Sequence, residues 1–219
     1  MMKTMPVIFG IALVLCSFSP LPAPVPTPTP AATRAKTLVF LGNSLTAGFG
    51  LEPSEAFPAL IAEKVRAAGL PFEIQNAGLS GDTSAGAVRR IDWLLQRPID
   101  VLVIELGGND GLRGLPVESL KENLQKLIDK AKAKNPTLKI VLAGMQIPPN
   151  LGAEYAADFA RIFAELAREN NAILIPFLLQ GVGGHRDLNQ PDMIHPTAAG
   201  HRIIADLVWR TLEPILRKG

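Results

Sequence analysis

Short apolar runs alternate with amphipathic stretches along most of this chain. The run VLVIEL is almost continuously apolar, which is typical of a strand that is covered on both faces. Together the runs predict five short strands. They are Thr37–Leu41, Phe72–Asn76, Val101–Leu106, Lys139–Gly144 and Ala172–Phe177.

The segments between the runs show the period of helices that bury one face. Three of them place their apolar residues on one side: Leu120, Leu124, Leu127, Ile128 and Ala131; Phe159, Ile162, Phe163 and Leu166; and Ile203, Ile204, Leu207, Val208 and Leu212. Strands that alternate with helices in this way predict an α/β protein, with a parallel sheet and helices on both faces. No repeat interrupts the pattern, so residues 37–219 are expected to form one domain.

Residues 1–19 have the pattern of a secretory leader. Lys3 precedes the apolar run Val7–Phe18, which is shorter than the ~20 residues that a helix needs to span a bilayer. Proline then occupies every second position from Pro20 to Pro30, which favours an extended spacer over 20–36. The sequence therefore predicts an exported protein, periplasmic or otherwise extracytoplasmic.

The single cysteine, Cys16, lies within this leader. The rest of the chain therefore has no thiol for a disulfide, a nucleophile or a cysteine-ligated metal. Lipidation of Cys16 would tether the protein to a membrane, with the proline-rich segment as a stalk. Leu15 argues against that alternative, because a small residue is expected directly before a lipidated cysteine.

Charge and histidine spacing exclude further classes of function. The 22 basic and 20 acidic residues leave a net charge of +2, with both signs interspersed, which is not the basic footprint of a nucleic-acid-binding protein. No His, Asp or Glu cluster has metal-ligand spacing, so neither a metal nor a cofactor is expected. Of the three histidines, His201 is expected at the surface or as a helix cap, and His185 in a solvated loop.

Polar, turn-forming clusters follow four of the predicted strands or the loops after them. They are Gly42–Ser44, Ala77–Gly86, Gly107–Asp110 and Asp192–Pro196. Ligands of open parallel sheets bind beyond the carboxyl ends of the strands, so these clusters are expected to converge at one edge. Each cluster alone is an ordinary loop composition. Their chemistry, however, is complementary.

Ser44, Asp192 and His195 have the residue types of a nucleophile, an orienting carboxylate and a base. A serine hydroxyl needs a base to take its proton during attack, and an imidazole held by a carboxylate suits that task. Alone, Ser44 would more simply be a turn residue and Asp192–His195 a helix cap. Their expected meeting at one edge favours the catalytic interpretation.

Gly81 and Asn109 could supply donors for a developing oxyanion, through a backbone N–H and a side-chain amide. The alternative for the segment GGND is a phosphate-binding loop. It lacks the lysine of a P-loop, and no helix is expected to open directly after it. An oxyanion site is therefore favoured.

Four motifs, taken together, resemble a known family. GNSLTAGFG, SGDTS, GGNDGLRG and DMIHP look like the blocks of the SGNH, or GDSL-like, hydrolases in their usual order. The nearest resemblance is to the bacterial acyl-CoA thioesterase I/lysophospholipase/arylesterase group, and it covers Leu38 to Ile204. It implies a three-layer α/β/α sandwich around a mostly parallel five-stranded sheet, of flavodoxin-like type.

The resemblance also implies roles for individual residues. Ser44 would be the nucleophile, with Asp192 orienting the base, His195. Gly81 and Asn109 would join the Ser44 amide as oxyanion donors. The family's block usually reads G-D-S-L, so Asn43 stands where aspartate is usual; this leaves the implied triad intact and puts only its fine tuning in question.

The reaction expected from these residues is two-step hydrolysis of a carboxylic ester or thioester through an acyl-enzyme. The substrate would be a small-molecule or lipid ester, hydrolysed by a monomer. A carbohydrate O-acetyl esterase is the enzymatic alternative, although aromatic residues make up only 5% of the chain and no sugar platform is apparent. An exported ligand-binding module is the alternative without turnover.

Two loops, Met145–Tyr155 and Phe177–Pro191, are expected to wall the site. Several of their apolar side chains are candidates to hold an acyl chain, and for Phe177 and Leu178 a place in the core is an equal alternative. The candidates are Met145, Ile147, Leu151, Phe177, Leu178 and Leu179.

Overall fold

The computed structural model describes residues 34–218. The predicted leader and nearly all of the predicted spacer lie outside this range, as do the predictions of export and of lipidation at Cys16. The described part forms one compact unit from Arg34 onward. None of its helices is long and apolar enough to cross a membrane.

The described residues form five strands and seven α-helices. The strands are β1 (Lys36–Gly42), β2 (Phe72–Gly78), β3 (Val101–Glu105), β4 (Lys139–Ala143) and β5 (Ile173–Ile175). The helices are α1 (Ser44–Ala47), α2 (Phe57–Ala67), α3 (Ser84–Leu94), α4 (Gly108–Leu112), α5 (Val117–Lys134), α6 (Ala153–Glu169) and α7 (Ala198–Lys218). All five apolar runs are strands, as predicted.

The strands form one parallel sheet in the order β2-β1-β3-β4-β5. β2 lies on one side of β1, and β3, β4 and β5 follow in order on the other side. Right-handed crossovers therefore place α2 on one face of the sheet and α3, α5 and α6 on the other. The packing agrees, because α2 contacts α7 while α5 contacts both α3 and α6. The predicted α/β/α sandwich is confirmed.

The core lies between the sheet and these helices. β1 and β3 are completely covered along their apolar residues, and the predicted inner faces of α5 and α6 are buried. In α7, Ile204, Val208 and Leu212 are buried, but Ile203 is exposed and belongs to the outer face, contrary to prediction. The reversal of strand order beside β1 brings the loops after β1, β2 and β3 next to one another.

Candidate active site

Ser44 begins the short helix α1 directly after β1. Its neighbour Asn43 caps this helix, with Asn43 Oδ1 accepting a hydrogen bond from the Leu45 N–H at 2.9 Å. Gly48, in the left-handed region with φ 77°, ends the helix after a single turn. The sharp strand-to-helix turn leaves Ser44 at the carboxyl edge of the sheet, nearly buried.

His195 lies between Ser44 and Asp192. Its Nδ1 is 2.6 Å from Asp192 Oδ2, and its Nε2 is 2.9 Å from Ser44 Oγ. The other carboxylate oxygen of Asp192 accepts the backbone N–H groups of Ile194 at 2.9 Å and His195 at 3.0 Å. His195 is thus within hydrogen-bond distance of both of the other predicted residues, Asp192 and Ser44. Their catalytic roles stay predictions.

The hydrogen bonds to Asp192 determine where protons lie on Asp192 and His195. The His195 side chain, and then its backbone N–H, lower the pKa of Asp192 from 3.8 to about 2. An ionised Asp192 favours a proton on His195 Nδ1, which leaves Nε2 as the acceptor for the Ser44 hydroxyl. The arrangement can therefore remove a proton from Ser44.

Two residues that sequence reasoning missed hold His195 in place. The Phe49 ring lies 4.6 Å from the imidazole, centroid to centroid. The backbone N–H of Gln190 donates to His195 O at 2.7 Å, and its side-chain amide donates to Phe49 O at 2.7 Å. No local pattern marks the contacts of Phe49, because it is distant along the chain from both Gln190 and His195.

The candidate oxyanion donors are placed differently from each other. Asn109 lines the cavity beside Ser44, and its Nδ2 donates one hydrogen bond to Asp82 O at 2.8 Å, which leaves its second amide hydrogen for a ligand. Gly81, with φ +80°, is exposed and does not line that cavity. Arg113 donates to Gly81 O at 3.1 Å. The oxyanion role of Gly81 stays a prediction.

Arg90, also missed by sequence reasoning, connects the loops at this edge. Its guanidinium donates to Asp82 Oδ2 at 2.7 Å, to Ala77 O at 2.9 Å and to Gly42 O at 3.0 Å. These bonds tie the turn before Ser44 to the segment that contains Gly81. A long arginine on α3 therefore fixes the relative positions of two motifs.

An apolar cavity of about 430 Å³ opens beside Ser44 and His195. Of the candidates for an acyl site, Met145, Ile147, Phe177 and Leu179 line it. Leu178 is instead a core residue, 1% exposed, and Leu151 is 45% exposed and outside the lining. Further apolar lining comes from Leu45, Leu112, Pro148, Met193 and Ile194.

A second cavity of about 440 Å³ lies at the opposite edge, beside the amino ends of the strands. Its polar lining includes Lys36, Asp100 and Lys139, and it holds no member of the Ser44–His195–Asp192 chain. Ser44 and His195 line only the cavity at the carboxyl edge, which is therefore the candidate site.

Two sequence expectations about this region are wrong. His201 is 1% exposed, so the expected surface position is wrong; its Nδ1 accepts the N–H of Phe57, the first residue of α2, at 3.0 Å, so the alternative of a helix cap holds, for α2 rather than α7. A helix does open directly after the first glycine of GGND, since α4 begins at Gly108. It has five residues and still lacks the P-loop lysine. His185 is exposed, as expected.

Residues 34–218 contain no cluster of three His, Asp or Glu side chains that could hold a metal ion.

Comparisons with known proteins agree with the four motifs. A family model described as the GDSL-like Lipase/Acylhydrolase family matches residues 40–203. Esterase TesA of Pseudomonas aeruginosa is 41% identical over 184 residues, or 83% of this chain and 90% of the relative. Thioesterase 1/protease 1/lysophospholipase L1 of Escherichia coli K12 is 36% identical over 187 residues, or 84% of this chain and 87% of the relative.

Solved structures show the same fold. A crystal structure of TesA has a TM-score of 0.78 and 40% identity, covering 82% of this chain and 99% of its own. The psychrotrophic esterase EstA of Pseudoalteromonas sp., inhibited by monoethylphosphonate, has a TM-score of 0.78 and 36% identity. The match covers 83% of this chain and 99% of EstA. The predicted resemblance and the predicted class, an SGNH-type hydrolase of ester bonds, are confirmed. The chain belongs to the GDSL-like lipase/acylhydrolase family.

Proposed function

We propose that this protein is a serine esterase in which Ser44, His195 and Asp192 form the catalytic triad. The observation that carries the proposal is the hydrogen-bonded chain from Asp192 Oδ2 through His195 to Ser44 Oγ, at the mouth of an apolar cavity. Acyl transfer requires a nucleophile in contact with a base, and a carboxylate that orients the base.

The reaction proceeds in two steps. Ser44 Oγ attacks the carbonyl carbon of the ester while His195 Nε2 takes its proton, and His195 then protonates the leaving alcohol or thiol. Water, deprotonated by the same imidazole, attacks the acyl-enzyme; His195 then returns the proton to Ser44 Oγ as the bond to the acyl carbon breaks and the acid is released. The Ser44 N–H, the Gly81 N–H and the second amide hydrogen of Asn109 are the proposed donors to the oxyanion.

The substrate is an ester or thioester with an apolar acyl group. The cavity has an apolar wall formed by Met145, Ile147, Phe177 and Leu179. Each methylene group of a substrate buried against it contributes about 0.8 kcal/mol to the free energy of binding. An acetyl group would leave most of this volume unused, so the lining supports longer acyl chains over a carbohydrate O-acetyl ester. The activities in the relatives' names, esterase, thioesterase and lysophospholipase, are of the same kind.

A fluorophosphonate probe tests the proposal directly. Wild type is expected to be labelled and to lose activity, whereas Ser44→Ala is expected to be unlabelled. Ser119→Ala is the matched control, because Ser119 is exposed on α5, away from His195. A folded wild-type protein that is not labelled would contradict the proposal and favour a ligand-binding module.

A series of p-nitrophenyl esters then identifies the acyl group. The apolar cavity predicts that kcat/KM rises with chain length beyond acetyl before it falls. An optimum at acetyl, with no gain from added methylenes, would favour the O-acetyl esterase instead.

We also propose that the enzyme is exported and acts as a monomer. Lys3 and the apolar run Val7–Phe18 support export, and the proline-rich segment supports a spacer. Mass spectrometry of the mature N-terminus distinguishes cleavage near residue 19 from a lipid on Cys16, and sedimentation measures the oligomeric state. An intact Met1 on secreted-fraction protein would contradict the leader.

A further inference from the structure

Glu105, at the end of β3, is a completely buried carboxylate that the mechanism above does not use. It lies opposite Gly42 in the register of β1 and β3, directly behind the turn that carries Ser44. No lysine, arginine or histidine is its hydrogen-bond or ion-pair partner within residues 34–218. An unpaired buried carboxylate is costly, so its position needs a reason.

All the hydrogen bonds to Glu105 come from residues beside Ser44. Oε2 accepts the Asn43 N–H at 3.2 Å and the Thr46 hydroxyl at 2.8 Å, and Oε1 accepts the Asn43 side-chain amide at 3.0 Å. The carboxylate therefore holds the residue before Ser44 and a residue in the first turn after it. These bonds therefore hold both sides of Ser44.

The turn is built closely around this carboxylate. A Cβ at position 42 would lie 2.7 Å from Glu105 Oε2 and closer still to the Thr46 hydroxyl, so only glycine fits there. Asn43 Oδ1 is already the acceptor for Leu45, which directs Nδ2 to Glu105. The amide of Asn43 is thus matched to the carboxylate, donor against acceptor.

We propose that Glu105 is a positioning residue for Ser44 and that Asn43 is its matched amide partner. The proposal rests on the role of Ser44 proposed above. The carboxylate fixes the first turn of α1 so that Ser44 Oγ stays 2.9 Å from His195 Nε2. Asn43, where the family usually has aspartate, gives this carboxylate a donor, whereas two carboxyl groups there would have to share a proton.

The electrostatic environment agrees with this geometry. Burial raises the pKa of Glu105 from 4.5 to about 7, against the opposing effect of the hydrogen bonds from Thr46 and Asn43. Arg90 reaches the same turn from α3, but it donates to Gly42 O and to Asp82 rather than to Glu105. The ionised form therefore depends on Asn43 and Thr46.

Exchanging the amide and the carboxylate tests the match. Glu105→Gln presents one acceptor oxygen to three donors and turns its own NH₂ toward Asn43, so we expect kcat to fall about 10- to 100-fold. The double variant N43D/E105Q restores one carboxylate facing one amide, and we expect it to recover to within about 5-fold of wild type. Inhibition by the product carboxylate measures binding in the cavity and is expected to change less than about 2-fold.

Asn43→Asp provides a second readout. Its two carboxyl groups, facing Thr46 and no cation, are expected to hold one shared proton. We expect kcat to fall toward alkaline pH, where this proton is lost, at a pH at which wild type keeps its activity. A merely space-filling role for Asn43 would leave the two pH profiles the same.

Thr46 provides a test that does not alter charge. Thr46→Val removes one donor to Glu105 with little change in shape, and Thr46→Ser keeps it. We expect a loss of about 3- to 10-fold in kcat for the valine variant and recovery in the serine variant. This pair decides the question if Glu105→Gln does not fold.

The outcomes separate this inference from the proposed function. Wild type labelled at Ser44, with unchanged kcat in folded E105Q and T46V, would overturn the positioning role alone. A double variant no more active than E105Q would overturn the match with Asn43. Failure of Ser44 labelling in wild type would instead overturn the proposed function.

Discussion

His195 and His201 are close in sequence but lie in opposite environments. His195 is partly exposed at the carboxyl edge, where a carboxylate holds one nitrogen and a serine hydroxyl contacts the other. His201 is buried in α7 under α2, where the Phe57 N–H occupies Nδ1. Burial, partly offset by Glu55, lowers the pKa of His201 to about 4.

The comparison teaches that the partner, rather than the residue type, decides what a histidine does. A carboxylate partner stabilises an imidazolium, which a base needs during turnover. A backbone N–H donor stabilises a neutral ring, which suits a buried structural acceptor. The predicted effects therefore fall on activity at one site and on stability at the other.

The largest expected effect is on turnover. His195→Ala removes the proposed base, so kcat/KM for a p-nitrophenyl ester should fall by about 10⁴-fold or more, with a nearly unchanged melting temperature. The matched control is His185→Ala, on an exposed loop position. If His195→Ala keeps activity within tenfold of wild type, His195 is not the catalytic base.

A smaller loss should follow from Asp192→Asn. The asparagine can still accept the backbone bonds of Ile194 and His195, but it no longer favours a proton on His195 Nδ1. We expect kcat to fall about 10²- to 10⁴-fold, as loss of tautomer control does in serine hydrolases with such a triad. Asp187→Asn, an exposed carboxylate on the preceding loop, controls for charge and should leave kcat unchanged.

His201→Ala should reverse the pattern. It leaves the buried Phe57 N–H without its acceptor and opens a cavity, so the free energy of unfolding should fall by about 2–4 kcal/mol. His201→Gln keeps an acceptor and should lose less. Denaturant unfolding measures both, and a His201→Ala variant as stable as wild type would contradict the structural assignment.

The pH dependence of stability sharpens the same assignment. The unfolded chain binds a proton at a histidine near pH 6.5, whereas folded His201 resists protonation until about pH 4. Its contribution to stability is therefore present above pH 6.5 and lost as the pH falls toward 4, by up to about 3 kcal/mol.

The measurement is the difference between wild type and His201→Gln across this pH range. Glu105 acts in the opposite direction, because its pKa of about 7 makes stability fall as the pH rises from 4.5. Subtraction removes that common contribution. Parallel stability curves for the two proteins would show that His201 does not titrate as predicted.

The smallest expected effect concerns the cavity that opens beside His195. Leu179→Trp fills part of it and should lower kcat/KM for the longest preferred esters about tenfold, with little change for acetyl esters. Leu151→Trp is the matched control, because Leu151 lies outside the lining. Equal chain-length profiles for the two variants would show that the acyl chain does not occupy this cavity.

The sequence was sufficient for the framework of the molecule. The five strands could be predicted because apolar periodicity is local, and a strand buried on both faces needs a continuous apolar run. Ser44, Asn109, Asp192 and His195 could be selected because parallel strands bring their carboxyl ends to one edge. These inferences need only the order of residues and a rule of topology.

His201 shows where such reasoning fails. Its spacing of three and seven residues from Ile204 and Val208 places it on the inner face of α7, but its partner, the Phe57 N–H of α2, is distant in the sequence. The contacts of Phe49, Gln190 and Arg90 around the candidate site likewise join distant segments. Contacts between residues so far apart in the sequence leave no local pattern from which they could be predicted.

By itself, the sequence determined the sheet and the family and selected the candidate site residues, because each depends on local pattern or on short motifs. Only the tertiary structure decided which polar groups are buried and what they contact. Glu105 is the clearest case: within the run VLVIEL it is one polar residue in a strand, and only the pairing of β3 with β1 places its carboxylate under Asn43 and Thr46. Burial and partners are properties of the assembled chain, since they require segments that meet only when it folds.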